Sequence, residues 1–272
     1  MEKLHRELSL DSIVTLIELA SGLPFDDNAP FEPQLVYEAL VAALPHLNKG
    51  QHGFEDSWKE VSKRLIEWKV TYAMPLLDKL LDCMGDDYRA SYDFAVAPLA
   101  TELLRQNPAE GWIIITRQLE ETLPKWRSDL QNWLKGCHSR MDSDNERLVP
   151  IAYVNLRAVL DWIDVDPESR SVLIAHAAPR TLADEIGGVL TRELITLYGH
   201  FKGVLNGISA IFGSGGWTGP TSVYLRGRRD IFRSWLAADF SPEVTQWIES
   251  EIDDLDRDIS RAEIEEERSR FD

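Results

Sequence analysis

Two stretches decide how this chain folds: Asp161-Trp162-Ile163-Asp164-Val165-Asp166-Pro167-Glu168-Ser169 and Ser234-Trp235-Leu236-Ala237-Ala238-Asp239-Phe240-Ser241-Pro242-Glu243. Each ends an apolar-periodic run on a tryptophan-aliphatic pair and then restarts with Asp or Ser, Pro and Glu. An Asp or Ser side chain at the N-cap accepts a free backbone N–H, and Pro at the first helical position forfeits a donor that has no intrahelical partner anyway. Both stretches therefore read as the corner of a helical hairpin. Their tryptophans stand 73 residues apart, about two repeats of the ~33–47 residues typical of helical arrays. Asn107-Pro108-Ala109-Glu110 follows the same plan, with Glu placed to complete a capping box.

Outward from these corners the 3.6-residue period dominates. Leu8, Ile13, Leu16, Ile17 and Ala20 form one stripe, Leu35, Leu40, Val41, Leu44 and Leu47 a second, and Trp58, Val61, Leu65, Trp68 and Tyr72 a third. Trp112-Ile113-Ile114-Ile115-Thr116 is the most strand-like run, yet it follows a helix cap and continues at helical spacing, so it reads as buried helix. Short connections make successive helices antiparallel neighbours. The expected fold is all-α, stacked antiparallel hairpins in a HEAT/ARM-like α-solenoid. Residues 1–147 form an N-terminal helical region and 148–272 carry the repeats and an acidic capping helix, the whole read as one continuous solenoid.

With 272 residues, 44% hydrophobic and 28% charged, the chain can bury a core and does not have the composition of a disordered polymer. A net charge of −17 argues against a surface that tracks nucleic acid or anionic lipid throughout. That charge is uneven. Residues 239–272 hold thirteen carboxylates against four arginines, whereas residues 192–233 hold six cations (Arg192, Lys202, Arg226, Arg228, Arg229, Arg233) against Glu193 and Asp230. Only Cys83 and Cys137 are present and the N-terminus shows no uninterrupted apolar leader, so a reducing cytoplasm is the expected location. The longest uncharged stretch, residues 203–225, is broken by Asn206, glycines and Pro220, so no membrane span is expected.

From about Leu148 onward the sequence resembles a HEAT-type α-solenoid, and in particular the solenoid ends of bacterial antiviral proteins, including STAND-type ATPases and proteins with TIR or SIR2 effectors. The residues that carry the likeness are Trp162-Ile163 with Asp166-Pro167, the glycine-rich loop from Phe212 to Pro220, Trp235-Leu236 with Pro242-Glu243-Val244, Trp247, and the charged finish from Ile259 to Arg268. The resemblance implies a sensing or scaffolding role, a separate domain or subunit for any chemistry, and a protein partner such as an effector encoded nearby. No effector or nucleotide-hydrolysing motif is visible here, so the expected protein is a non-enzymatic scaffold or recognition component, without cofactor.

The alternative expectation is a phosphate- or nucleic-acid-binding helical module. Ten of the sixteen glycines lie between Gly187 and Gly227. Gly213, Gly215, Gly216, Trp217 and Gly219 could expose backbone N–H groups before a helix, with Lys202, Arg226, Arg228, Arg229 and Arg233 in one groove. No Walker Lys-Ser or Lys-Thr follows the glycines and no strand precedes them, which excludes a nucleotide-binding P-loop or Rossmann turn. The blander reading is packing: Gly199, Gly203 and Gly207 would share one helical stripe against a neighbouring backbone.

Other candidates read as structural. Asp26-Asp27, Asp86-Asp87 and Asp253-Asp254 fit helix ends or solvated faces. Asp142-Ser143-Asp144-Asn145-Glu146 begins like a calcium loop, but Arg147 replaces the turn Gly and Tyr153 the bidentate Glu. Cys137-His138 lacks metal-ligand spacing, so no metal is expected. Glu67-Trp68-Lys69 superficially matches the Glu-x-Lys half of a nuclease site, but lies in a helical stripe. The tryptophans, Trp126 and Trp133 among them, are expected at hairpin interfaces, and the last helix is expected to pack through Val244, Trp247, Ile248, Leu255 and Ile259 and to be a solvated cap beyond Ile264.

Overall fold

The computed structural model describes residues 9–47, 52–84, 96–122, 124–136, 149–179, 187–213 and 219–269. Asp86-Asp87, Cys137-His138, residues 142–147, Gly215, Gly216, Trp217 and the side chain of Trp126 lie outside the described residues. The described chain is all-α, without a strand. It divides into two compact units, Met1–Val154 and Asn155–Asp272.

The first unit contains α1 (Leu10–Ser21), α2 (Pro33–Ala43), α3 (His52–Trp68), α4 (Ala73–Met84), α5 (Val96–Gln106), α6 (Pro108–Glu121) and α7 (Pro124–Leu134). Short 3₁₀ turns at Leu44–His46, Val70–Tyr72 and Pro150–Tyr153 complete it. α1 packs on α2 and α3, and α4 packs on α5, α6 and α7. Ile13, Ile17, Ala20, Leu40, Leu44, Leu47, Trp58, Val61 and Leu65 of the expected stripes are core, Leu16, Val41, Trp68 and Tyr72 are half-buried, and in α2 Val36 is buried whereas Leu35 is 40% exposed. Trp112-Ile113-Ile114-Ile115-Thr116 is helical, Trp112 and Ile115 pointing inward and Ile113 outward at 69% exposure. Buried indoles have their N–H groups satisfied, as burial demands. Trp58 Nε1 donates to the Leu40 carbonyl at 3.0 Å, and Trp133 Nε1 donates to Thr101 Oγ1 at 3.0 Å.

The second unit contains α8 (Leu156–Ile163), α9 (Pro167–Ala175), α10 (Gly188–Tyr198), α11 (Lys202–Gly213), α12 (Thr221–Trp235) and α13 (Pro242–Arg268). Both Asp/Ser-Pro-Glu corners are present. Asp166 accepts from the Ser169 N–H at 3.4 Å and Ser241 Oγ from the Val244 N–H at 3.3 Å. Asn107, by contrast, starts α6 without a side-chain cap bond. The Asn107 half of the expected capping box is therefore not made. The two corners are also offset by one residue. Trp235 is core and Leu236 is 43% exposed, whereas at the first corner Ile163 is core and Trp162 is half-buried beneath the Arg170 guanidinium, 4.7 Å from its ring centroid. Phe212, Phe232, Trp235 and Trp247 assemble an aromatic cluster from α11, α12 and α13 with ring centroids 5.1–5.7 Å apart along Phe212–Phe232, Phe232–Trp235 and Phe232–Trp247.

The expected single glycine stripe is split between two elements. Gly199 is the C-cap of α10, and only Gly203 and Gly207 ride on α11, facing α9. A Cβ at Gly203 would stand 2.7 Å from Val172 Cγ2, and one at Gly207 would stand 3.1 Å from Ala175 Cβ. Close packing is thus the use of these two glycines. Valine cannot rotate away cheaply, because its branched Cβ holds one rotamer in a helix. Gly227 on α12 has open space where a Cβ would be. Gly203→Ala is expected to lower unfolding free energy by about 1–3 kcal/mol through overpacking, while Gly227→Ala raises it by about 0.5–1 kcal/mol through helix propensity. Urea unfolding of the two variants beside the parent checks the opposite signs.

Candidate functional site

The sequence directs attention first to the arginine-rich α12. Its four arginines are spaced so that Arg226, Arg229 and Arg233 lie on one side of the helix, three or four residues apart. That side meets α13. Arg226 pairs with Glu263, Arg229 Nη1 donates to Asp256 at 2.9 Å, and Arg233 Nη2 donates to the other oxygen of Asp256 at 3.3 Å. Arg229 also reaches Asp230 at 3.2 Å. The hydrogen bond to Asp256 holds the Arg229 guanidinium further above its ordinary pKa. Partner numbers fall on α13 as they rise on α12, so the two helices run antiparallel.

The start of α12 continues the same seam. Pro220 stands at the N-cap and has no side chain able to accept a hydrogen bond. The Glu266 carboxylate takes that role from α13, accepting from the Ser222 N–H at 2.9 Å and from Ser222 Oγ at 2.7 Å. A carboxylate at a helix N-terminus answers both the free donors and the positive end of the macrodipole. The anion that this N-terminus takes is therefore supplied by the chain itself. Glu266 belongs to the stretch expected to be a solvated cap and Glu263 lies just before it, and the structure turns both toward α12. Ile252 and Ala262 also join the α13 core, while Trp247 is only half-buried and packs against Phe232.

The remaining proposed cation and loop positions are dispersed. Arg228 makes no ion pair among the described residues, and its guanidinium stands 5.9 Å from the Tyr224 ring centroid. Lys202 is exposed at the first position of α11, the helix that packs on α9 and α10. Gly213 ends α11, and Gly219 adopts φ of 100°, the left-handed region that favours glycine. Among the described residues no group of three or more His, Cys, Asp or Glu side chains could hold a metal ion. Also among the described residues, no helix is long and apolar enough to cross a membrane.

A second feature lies in the first unit and was not expected. The loop between α1 and α2 folds over the end of α3 to leave an open cleft of about 460 Å³ lined by Phe25, Asp26, Asp27, Arg64, Glu67 and Trp68. Arg64 fixes the loop: its Nη1 donates to the Ser21 carbonyl at 2.8 Å, its Nη2 donates to the Leu23 carbonyl, and its guanidinium lies 4.7 Å from the Phe25 centroid. Phe25, Phe31 and Trp68 meet edge to face at 5.0–6.3 Å. Lys69 Nζ donates to Asp27 at 3.0 Å and stands 4.7 Å from the Trp68 ring centroid. Hydrogen bonds from Lys69 and then Trp68 hold the Asp27 carboxyl below the usual carboxylate range. Glu67-Trp68-Lys69 thus borders a surface cleft from a helix end, not from the β-hairpin a nuclease would need. The signal available in the sequence was the density of aromatics at Phe25, Phe31 and Trp68, none of which the charge pattern marks.

Comparison of the chain with protein-family models, curated proteins and solved structures finds no match.

The capping role assigned to Glu266 has a direct consequence for stability. Glu266→Gln removes the charge from two hydrogen bonds at a half-buried helix start and is expected to cost about 1–2 kcal/mol. Glu265→Gln, at an exposed neighbour, is expected to stay within about 0.5 kcal/mol of the parent. Thermal and urea unfolding of the pair separate a specific cap from a general effect of acidic-tail charge.

Proposed function

We propose that this protein is a non-enzymatic helical scaffold or recognition component built as a HEAT-like α-solenoid, acting through protein–protein contacts in the manner of the solenoid regions of bacterial antiviral proteins that its sequence resembles. The observation that carries the reading is the locality of helix packing within each unit. The principal helix contacts join helices one or two places apart in sequence: α1 with α2 and α3, α4 with α5 and α6, α9 with α10 and α11, α12 with α13. Pairing of each helix with the next and the next but one is what stacked hairpins produce, because every repeat meets only its neighbours. α4 with α7, and α5 with the 3₁₀ turn at Pro150–Tyr153, are longer-range exceptions. Such a stack leaves its outer faces free to vary without cost to the core, and these faces are what a scaffold offers a partner.

The rival reading is a nucleic-acid module that uses the α12 arginines. Three of these cations, Arg226, Arg229 and Arg233, already face carboxylates of α13, so a phosphate backbone would have to compete with a covalently tethered anion. This favours the protein-binding reading.

Co-purification of the tagged chain with the products of its neighbouring genes, after nuclease treatment, is expected to yield a stoichiometric protein complex that persists at about 0.5 M salt, where the screening length is ~4 Å. Recovery of nucleic acid alone would contradict the proposal. That outcome would carry its own signature: an affinity falling with salt at a log–log slope of about −0.9 per phosphate contacted in a duplex, and dropping on Arg228→Glu.

A further inference from the structure

Resting on the protein-recognition reading, we infer that the cleft between the α1–α2 loop and the end of α3 is a receptor for an arginine side chain presented by a protein partner. The argument starts from the walls. Asp26 and Asp27 stand on the loop side and Glu67 on the helix side, with the aromatic rings of Phe25 and Trp68 between them. All three carboxylates are exposed. Among the described residues Asp26 Oδ1 accepts the Asn28 N–H, at 2.8 Å, and no other donor, and Glu67 makes no ion pair. Arg64, the one cation of the lining among the described residues, directs two of its donors at backbone carbonyls and serves to hold the loop. The cleft therefore presents the Asp26 and Glu67 carboxylates to solvent beside Asp27, which is already paired with Lys69, and its loop is fixed before any ligand arrives. A preformed site avoids the cost of ordering on binding.

The chain itself displays the chemistry at this place. The Lys69 ammonium lies against the Trp68 ring and bonds Asp27, and the Arg64 guanidinium lies over Phe25. Cation against ring face and cation against carboxylate are the two attractions a basic side chain would use here. The Lys69–Asp27 pair is exposed, with 38% and 87% of the two side chains accessible. Its loss costs little, so it can yield to a better ligand. Arginine suits the cleft better than lysine, since a planar guanidinium can stack on a ring and still direct donors to carboxylates on opposite walls. An overall charge of −17 adds long-range attraction for a basic partner.

The Trp68 indole N–H donates to Asp27 at 3.4 Å, which makes it a local reporter. Its signal among the tryptophan indole N–H resonances of the full-length ¹⁵N-labelled chain is assigned with Trp68→Phe. The probe is a blocked heptapeptide with one central arginine among glycine and serine, and the control is the same peptide with neutral citrulline. The Trp68 signal is expected to shift saturably with the arginine peptide and not with the citrulline peptide. Glu67→Gln and Asp27→Asn should each weaken binding about two- to fivefold, and Lys69→Met should strengthen it, with the other indole signals unmoved as evidence of an intact fold. Equal response to the two peptides overturns the inference, as does indifference to both carboxylate substitutions. A fixed Trp68 signal accompanied by shifts at Trp235 or Trp247 also overturns it, placing arginine recognition on the second unit and leaving the scaffold reading standing. That reading is decided separately, by the co-purification.

Discussion

Antiparallel pairing of α12 with α13 is the constraint on which the second unit depends. Two helices of opposite charge are laid side by side so that Arg226, Arg229 and Arg233 meet Glu263 and Asp256, while Glu266 closes the start of α12. Val244, Ile248, Ile252, Leu255, Ile259 and Ala262 form the apolar seam of α13, and the aromatic cluster of Phe212, Phe232, Trp235 and Trp247 anchors one end. The apolar seam supplies most of the free energy, since half-exposed ion pairs such as Arg226–Glu263 contribute only ~0–1 kcal/mol. Charge instead fixes register and orientation: a shifted or parallel pairing would bring Arg226, Arg229 and Arg233 opposite other α13 positions and leave Ser222 uncapped. The net charge of the chain therefore overstates how differently its two poles behave. Three of the six cations of the basic stretch meet two carboxylates of the acidic finish.

Much of the fold was legible because the helix signals are local. Pro167 and Pro242 mark helix starts, and the stripes through Ile13, Trp58 and Leu65 mark buried faces; an N-cap or a 3.6-residue period needs no knowledge of distant chain. Where the reading slipped, the deciding contact lay elsewhere. Leu35 and Val36 are equally apolar, and only the packing of α2 buries one and exposes the other. Nothing around Pro220 shows that its helix is capped, because the acceptor is Glu266, more than forty residues on. Gly199, Gly203 and Gly207 keep helical spacing, yet α10 ends at the first and α11 carries the others.

The candidate sites divide along the same line. Arginines gathered in sequence invited an anion site, and the fold commits three of them to internal carboxylates. The cleft at Phe25, Asp27, Arg64, Glu67 and Trp68 escaped notice because it joins a loop to a helix end some forty residues away, and because each of its residues has an ordinary role when read singly. Together these features describe a protein in which three arginines of α12 face carboxylates of α13, while the carboxylates of Asp26 and Glu67 face solvent.

Charge reversal across the α12–α13 seam tests the central claim most directly. Arg226→Glu, Arg229→Glu and Arg233→Glu in one chain place like charges opposite Asp256 and Glu263, and the urea midpoint of unfolding is expected to fall. Adding Asp256→Arg and Glu263→Arg to that chain restores opposite charges in reversed order, and most of the lost midpoint should return. If the triple change leaves the midpoint where it was, or if the compensating pair returns nothing, the arginines of α12 are not paired with α13 in the way described and the account of the second unit is wrong.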